Sequence, residues 1–411
     1  MNMRPAFSSV VAFINNYRNS SPFPVWASTL TLPSPSQINI NSSKTSVPLP
    51  FPVNPVLDHL PVYQPGRPIE EVARELGLDT DSIIKLASNE NPLGPSRLAL
   101  AAMRKTLPSL HLYPDGNAFY LKQKLAAHLD LKPNNLALGN GSNEIIELLG
   151  HLLLGPDAEV IVSRYCFAVY PIVTALFGAR LITIPAKNFV HDLDVTLAAI
   201  TSQTRIIFVA NPNNPTGTVV SREALERFVA AVPENVVVAL DEAYFEFLDN
   251  PLDLLPEIRA GRKPNLLLMR TFSKIYGLAG LRIGYGIGHP EFIAALEKVR
   301  QPFNINALAQ AAALAALDDS KHIQRTRKVN ARGQRFFTRA FRKLKLEFVP
   351  SAANFVLVRV GEGQRVFEHM QRAGVIARPM GGYQLPEWIR ISVGTTKENK
   401  RCLEALKSAL K

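Results

Sequence analysis

The residues of this chain best suited to chemistry surround one lysine. Leu266-Leu267-Leu268-Met269 reads as a buried strand that breaks into Arg270-Thr271-Phe272-Ser273 and delivers Lys274. Arg282 then opens a second apolar run, Ile283-Gly284-Tyr285-Gly286. A lone lysine past a strand is often only a solvated strand end. Here Ser273 and Arg282 add a hydroxyl and a guanidinium suited to a phosphate. A lysine in a partly dry pocket near other cations loses some preference for the ammonium form, so its amine attacks carbonyls. The combination points to a Schiff-base lysine beside a cofactor phosphate.

Three other loops carry matching chemistry. Gly139-Asn140-Gly141-Ser142-Asn143-Glu144 joins a strand to a helix start, where glycines, free N–H groups and the helix dipole favour a phosphate. Many strand–helix turns carry glycine, and this one lacks the spacings of the dinucleotide and nucleoside-triphosphate motifs. Asn211-Pro212-Asn213-Asn214-Pro215-Thr216-Gly217 holds more amide than a turn requires, and the amide of Asn214 suits a phenolate oxygen on a bound ring. Asp241-Glu242-Ala243-Tyr244 ends the run Val236 to Leu240. A carboxylate there is costly unless paired, and a protonated pyridine nitrogen would pair it, with Tyr244 at the ring oxygen. Taken singly, Asp241 would read as a helix N-cap. The loops converge under one hypothesis, a pyridoxal 5'-phosphate site. In it Ser142, Asn143, Ser273 and Arg282 hold the phosphate, Asp241 the ring nitrogen, Asn214 and Tyr244 the ring oxygen, and Lys274 the imine.

The elements that must position these loops alternate along the chain. Buried strands are expected at Leu136–Leu138, Glu159–Ser163, Arg180–Ile184, Arg205–Ala210, Val236–Leu240, Leu266–Met269 and Arg282–Ile287, most of them separated by helical patterns such as Ile145–Leu154. Alternation of this kind predicts an α/β large domain, a mainly parallel sheet flanked by helices, with ligands beyond the carboxyl ends of the strands. After about Arg300 the pattern changes. Helices at Ala307–Leu317, Ile323–Leu344 and Lys397–Leu410, with strands at Leu346–Val349, Phe355–Val360 and Ile389–Val393, describe a smaller α+β domain over 306–411. Residues 86–305 then form the large domain, and 55–85 an arm joining the small one.

Residues 1–54 are rich in Ser, Pro and Asn and lack acids, which reads as a disordered extension, an organellar transit peptide or a start assigned too far upstream. The 411 residues suffice for two cores, and 47% hydrophobic with 19% charged residues fits a globular protein. No apolar run approaches the roughly 18–20 residues of a spanning helix, so no membrane segment is expected and the cytoplasm is the expected compartment. Two distant cysteines, Cys166 and Cys402, imply neither a disulfide framework nor a metal site. The net charge of +12 owes much to the arginines and lysines of 321–345, whose helical spacing reads as a solvated face rather than a nucleic-acid surface.

At this point the motifs resemble a known family, the class I/II aminotransferases of PLP fold type I. The resemblance rests on Lys85 to Gly94 (KLASNENPLG), Tyr113-Pro114-Asp115, Asn211 to Gly217, Asp241 to Tyr244, Arg270 to Gly284 and Trp388 to Gly394, and it covers about residues 55 to 411. It implies that Phe167 stacks over the cofactor ring, where many members carry Tyr. Tyr113 would reach the cofactor phosphate across a homodimer interface. Arg390 and Arg378 would take substrate anions, with Tyr63 near a substrate phosphate; Arg390 alone could also be a strand-end surface charge. The branch it matches most closely implies a phosphorylated amine, histidinol phosphate, as donor and a 2-oxo acid, 2-oxoglutarate, as acceptor. The competing expectations are an aromatic or broad-specificity aminotransferase, a threonine-phosphate decarboxylase that would release CO₂, and a non-catalytic cofactor-binding regulator.

Overall fold

Short apolar runs bounded by turns supply the strands. They are β1 (Ile84–Lys85), β2 (Leu136–Gly139), β3 (Glu159–Ser163), β4 (Arg180–Ile184), β5 (Thr204–Ala210), β6 (Val237–Asp241), β7 (Leu266–Thr271) and β8 (Gly284–Gly288). Toward the C-terminus follow β9 (Phe348–Val349), β10 (Phe355–Arg359), β11 (Val375–Ile376), β12 (Arg378–Pro379) and β13 (Trp388–Ser392). The computed structural model describes residues 51, 53–60, 62–63 and 65–411. The extension read over residues 1–54 lies, up to residue 50, outside the described residues. Residues 54–411 form one unit by their internal contacts.

Seven strands make the large sheet in the order β2-β8-β7-β6-β5-β3-β4. The order agrees with the expected mainly parallel sheet: every pairing is parallel except those of β8, which runs antiparallel to both β2 and β7. Successive side chains of a strand point to opposite faces, and both faces here are covered. On one, Ile207, Val209, Leu240 and Leu268 pack with Leu125, Phe228 and Ala313 from helices Phe119–Leu129, Arg222–Ala231 and Ala307–Ala316. On the other, Ile206, Phe208, Leu267 and Met269 pack with Ile145, Leu149, Val173 and Leu296. Such double burial explains why β7 is buried along its whole length. Its one charge, Arg270, is paired with buried Glu242 at 2.8 Å.

A second sheet, antiparallel in the order β12-β13-β10-β9, carries helices Ser320–Lys343, Gly363–Arg372 and Thr396–Ala409. Phe337, Phe341, Val356, Val366, Met370, Ile391 and Leu406 fill the core between them. The short β1 pairs in parallel with β11, Ile84 opposite Val375, and so ties the segment before the large sheet to this region.

Boundaries move where local chemistry outranks periodicity. The helix expected from Ile145 begins at Ser142, because Gly141 adopts φ 74° and turns the chain there. The helix expected from Ile323 begins at Ser320, since the Asp319 side chain accepts from the His322 N–H at 3.0 Å. β8 begins at Gly284 rather than Arg282, whose φ of 54° lies in the left-handed region. Among the described residues no helix is long and apolar enough to cross a membrane.

Gly333, in the middle of Ser320–Lys343, marks the tightest packing of this core. An added Cβ would lie 2.2 Å from Val393 Cγ1. Gly→Ala within a helix ordinarily gains about 1 kcal/mol, but overpacking of this kind costs roughly 1–3 kcal/mol. Gly333→Ala is therefore expected to lower stability and Tm, and a stabilised variant in thermal denaturation would contradict this packing.

Candidate active site

The carboxyl ends of β5, β6 and β7 and the turn after β2 open on one cavity of about 360 Å³. Twelve of the thirteen residues singled out from the sequence line it: Tyr63, Ser142, Asn143, Phe167, Asn214, Asp241, Tyr244, Ser273, Lys274, Arg282, Arg378 and Arg390. Tyr113 does not; it is 82% exposed and stacks on Phe303 with ring centroids 4.8 Å apart.

The strand–helix turn places Ser142 and Asn143 in the first turn of Ser142–Leu153, where N–H groups lack helical partners. Arg282 reaches over Gly141 so closely that a Cβ there would sit 2.6 Å from Arg282 Nη2. The left-handed Arg282 also donates to the Ala279 carbonyl oxygen at 3.1 Å. A non-glycine residue held at positive φ stores strain of order 1–3 kcal/mol, which persists only where the surroundings enforce it. Ser273 lines the same cavity. Free N–H groups and a guanidinium thus meet at the Gly141 turn, and the Ser273 hydroxyl lines the same cavity.

Asp241 is the last residue of β6 and is 5% exposed. It caps no helix: Oδ1 accepts from the Ala243 N–H at 3.0 Å and Oδ2 from the Tyr170 hydroxyl at 2.7 Å. Burial pushes this carboxyl up, while Tyr170, the Ala243 N–H and the charge of Lys274 pull it down. It makes no ion pair among the described residues. A buried carboxylate held by neutral donors alone lacks a cation.

Lys274 is half-buried in the same cavity, with Nζ 3.5 Å from the Ser88 carbonyl oxygen and 5.7 Å from the Tyr244 ring centroid. Burial first, and then the Arg390 and Arg282 charges, lower its amine to about 8, which leaves an appreciable fraction unprotonated near neutrality. Asn214 follows a cis Asn211–Pro212 bond and precedes a cis Asn214–Pro215 bond. Its Oδ1 accepts from Arg390 Nη1, which leaves the amide N–H groups for the cavity. Arg390, on β13 and 6% exposed, also donates to the Ala87 carbonyl oxygen at 2.8 Å. Burial of this degree rules out the surface-charge alternative for that residue.

Sequence reasoning missed Tyr170 and Asn89. Tyr170 is fully buried, stacks on Phe208 at 4.5 Å and supplies the side-chain donor to Asp241. Its signal was the need of any buried carboxylate for a donor, met one helical turn past Phe167. Asn89 donates to the Tyr244 hydroxyl at 2.9 Å.

The donor set fits pyridoxal 5'-phosphate. An anion corner, a buried carboxylate without a cation, two donors for a ring oxygen, an aromatic wall at Phe167 and a lysine with a lowered pKa line the same cavity.

Comparison with known proteins agrees with this chemistry. The sequence profile of the family described as aminotransferase class I and II matches residues 81–406. The chain is 52% identical over 352 residues to a histidinol-phosphate aminotransferase of Akkermansia muciniphila, covering 85% of this chain and 96% of that one. It is 50% identical over 349 residues to histidinol-phosphate aminotransferase 1 of Nitrosococcus oceani, covering 85% and 94%. The crystal structure of histidinol-phosphate aminotransferase from Sinorhizobium meliloti in complex with pyridoxal-5'-phosphate superimposes with a TM-score of 0.79 at 32% identity, covering 87% of this chain and 97% of that one. By its sequence, its sheet order and its relatives, the chain belongs to the class I and II aminotransferases.

Proposed function

We propose that this chain uses pyridoxal 5'-phosphate to transfer the amino group of histidinol phosphate to 2-oxoglutarate, a reaction of histidine biosynthesis. The observation that carries this reading is the pairing in one cavity of Lys274, with its amine lowered to about 8, and Asp241, a buried carboxylate that lacks a cation. Relatives at about half identity supply the substrate.

Bound pyridoxal 5'-phosphate supplies an electron sink for the carbon that loses its proton. Asp241 holds the proton on the ring nitrogen. The Asn214 amide and the Tyr244 hydroxyl donate to the ring oxygen, and Phe167 covers a ring face. Ser142, Asn143, Ser273 and Arg282 hold the phosphate. Lys274 Nζ anchors the cofactor and, once substrate amine has taken its place, removes the proton from the amine-bearing carbon and delivers it for the transfer. Arg390 and Arg378, with Tyr63, bind the anionic end of each substrate in turn, a phosphate for one and a carboxylate for the other.

Arg390→Gln tests the anion site. Breaking a buried, hydrogen-bonded charge site costs about 2–5 kcal/mol, so kcat/KM for glutamate is expected to fall roughly 30-fold or more. A change under threefold would remove Arg390 from the substrate site.

A second copy of the chain belongs to this reading. Leu107, Leu110, Leu112, Tyr113, Phe119 and Tyr120 lie close in sequence and are 47–82% exposed, more clustered apolar surface than a lone subunit usually presents. Covering that stretch in a homodimer would bring Tyr113 to the partner's cofactor phosphate.

The reaction itself is tested by mixing cofactor-loaded protein with histidinol phosphate, and separately with phenylalanine, without any keto acid. Loss of the bound cofactor's visible absorbance is expected to be faster with histidinol phosphate. Faster loss with phenylalanine would assign an aromatic donor, and release of CO₂ a decarboxylase.

A further inference from the structure

Asn89 sits in the segment Ser88-Asn89-Glu90-Asn91, which the sequence singles out without giving Asn89 a task. It is 2% exposed and held at φ 54°, a conformation that asparagine tolerates better than most residues. Its polar groups are fully engaged. The backbone N–H donates to Ser392 Oγ at 2.8 Å, and Ser392 Oγ donates to Asn89 Oδ1 at 3.1 Å. The backbone carbonyl oxygen accepts from Asn354 Nδ2 at 2.9 Å. These bonds fix which way the side-chain amide faces. With Oδ1 committed to Ser392 on β13, Nδ2 points at the Tyr244 hydroxyl oxygen, 2.9 Å away.

A phenol oxygen that accepts from an amide has its lone pair occupied on that side, so its hydrogen turns to another acceptor. Asn89 therefore decides where the Tyr244 proton points. Tyr244 is 3% exposed and packs against Phe355 with ring centroids 5.5 Å apart, so the ring cannot swing to find a different partner. We infer that Asn89 is a positioning residue that aims the Tyr244 hydroxyl hydrogen at the ring oxygen of the cofactor, with Ser392 locking the amide in its donor orientation. The inference rests on the cofactor reading above. It also links the site to the second sheet: Ser392 lies on the same strand as Arg390, which holds Asn214, the other donor to that oxygen. Both ring-oxygen donors are thus set by side chains whose orientation depends on β13.

The chemical consequence is specific. Donation to the ring oxygen stabilises its negative charge, and a weaker donor leaves the oxygen more basic. A proton held between that oxygen and Lys274 would then be bound more tightly. Asn89→Asp is nearly isosteric but presents an acceptor to Tyr244, drawing the hydroxyl hydrogen away from the ring. Ser392→Ala keeps Asn89 and removes only the lock.

The test is a pH titration of the visible absorbance of purified, cofactor-loaded protein, with the cofactor dissociation constant measured in parallel. In Asn89→Asp the spectral midpoint is expected to rise by about 0.5–1 unit, the size of one modest hydrogen bond. Ser392→Ala is expected to shift it the same way by less. In a Tyr244→Phe background neither substitution should move it further, because the hydroxyl through which they act is gone. A shift that persists undiminished in Tyr244→Phe would overturn the inference, since the effect would then be structural or directly electrostatic. An unmoved midpoint in Asn89→Asp with tight cofactor binding would overturn it also. If wild-type protein gives no visible absorbance with the cofactor, the reading of the site itself fails. If Asn89→Asp does not fold, Ser392→Ala in the two backgrounds decides alone, and an equal midpoint to wild type rejects the inference.

Discussion

Lys274→Ala is expected to lower the transamination rate by about 10⁴-fold or more, because one side chain both anchors the cofactor and moves the proton. Borohydride reduction should fix cofactor to the peptide containing Lys274 in wild-type protein and leave the variant unlabelled by mass spectrometry. Label on another lysine would refute the assignment. The lowered pKa adds a pH dependence. Capture of the cofactor by cofactor-free protein needs the free amine, so its rate should rise with pH through about 8 and then level off. The stability effect has the same sign. Folding disfavours the ammonium, so the unfolded chain binds more protons between pH 8 and the ordinary lysine value. This residue's burden on the cofactor-free fold is therefore fully present below pH 8 and is relieved as pH rises. A capture profile still climbing at pH 10 would show that Lys274 is not so perturbed.

Asp241→Asn is the second large effect. Asparagine has the shape of aspartate but cannot hold a proton on the ring nitrogen, and removing such a preorganised charge ordinarily costs about 10²–10³ in rate. Stability should move the other way or not at all. In the cofactor-free protein Asp241 is a buried carboxylate without a cation, so neutralising it removes a desolvation cost. Loss of activity at unchanged or raised Tm identifies a residue kept for chemistry at the expense of the fold. Activity within tenfold of wild type would sink the role given to Asp241.

The strands of the large sheet and most of the cavity were legible because their signals are local. A buried parallel strand is a short apolar run, and the residues that line the cavity follow it directly, as Lys274 follows β7 and Asn214 follows β5. Periodicity misplaced the start of Ser142–Leu153 by one turn because a single glycine at positive φ decides it. The partners of these residues were not legible. Tyr170 meets Asp241, and Asn89 meets Tyr244 and Ser392, only once segments far apart in sequence are assembled. Which donor reaches a buried acceptor is a property of the packed core, and no spacing along the chain encodes it.

β8 carries a consequence for synthesis. Among the described residues it is the only neighbour of the edge strand β2 in the sheet, and Leu136 pairs with Ile287. A nascent chain that has emerged only as far as β7 lacks the strand that β2 pairs with. The turn at Gly141, which packs against Gly284, therefore cannot take its final contacts until residues 284–288 have left the ribosome, although its own residues were made far earlier. Arg282 arrives just ahead of β8 and closes over that turn, so the phosphate corner should be among the last parts of the large sheet to become competent. Truncated chains ending before β8 would hold Lys274 and Asp241 and still lack the strand that backs the corner proposed for the phosphate.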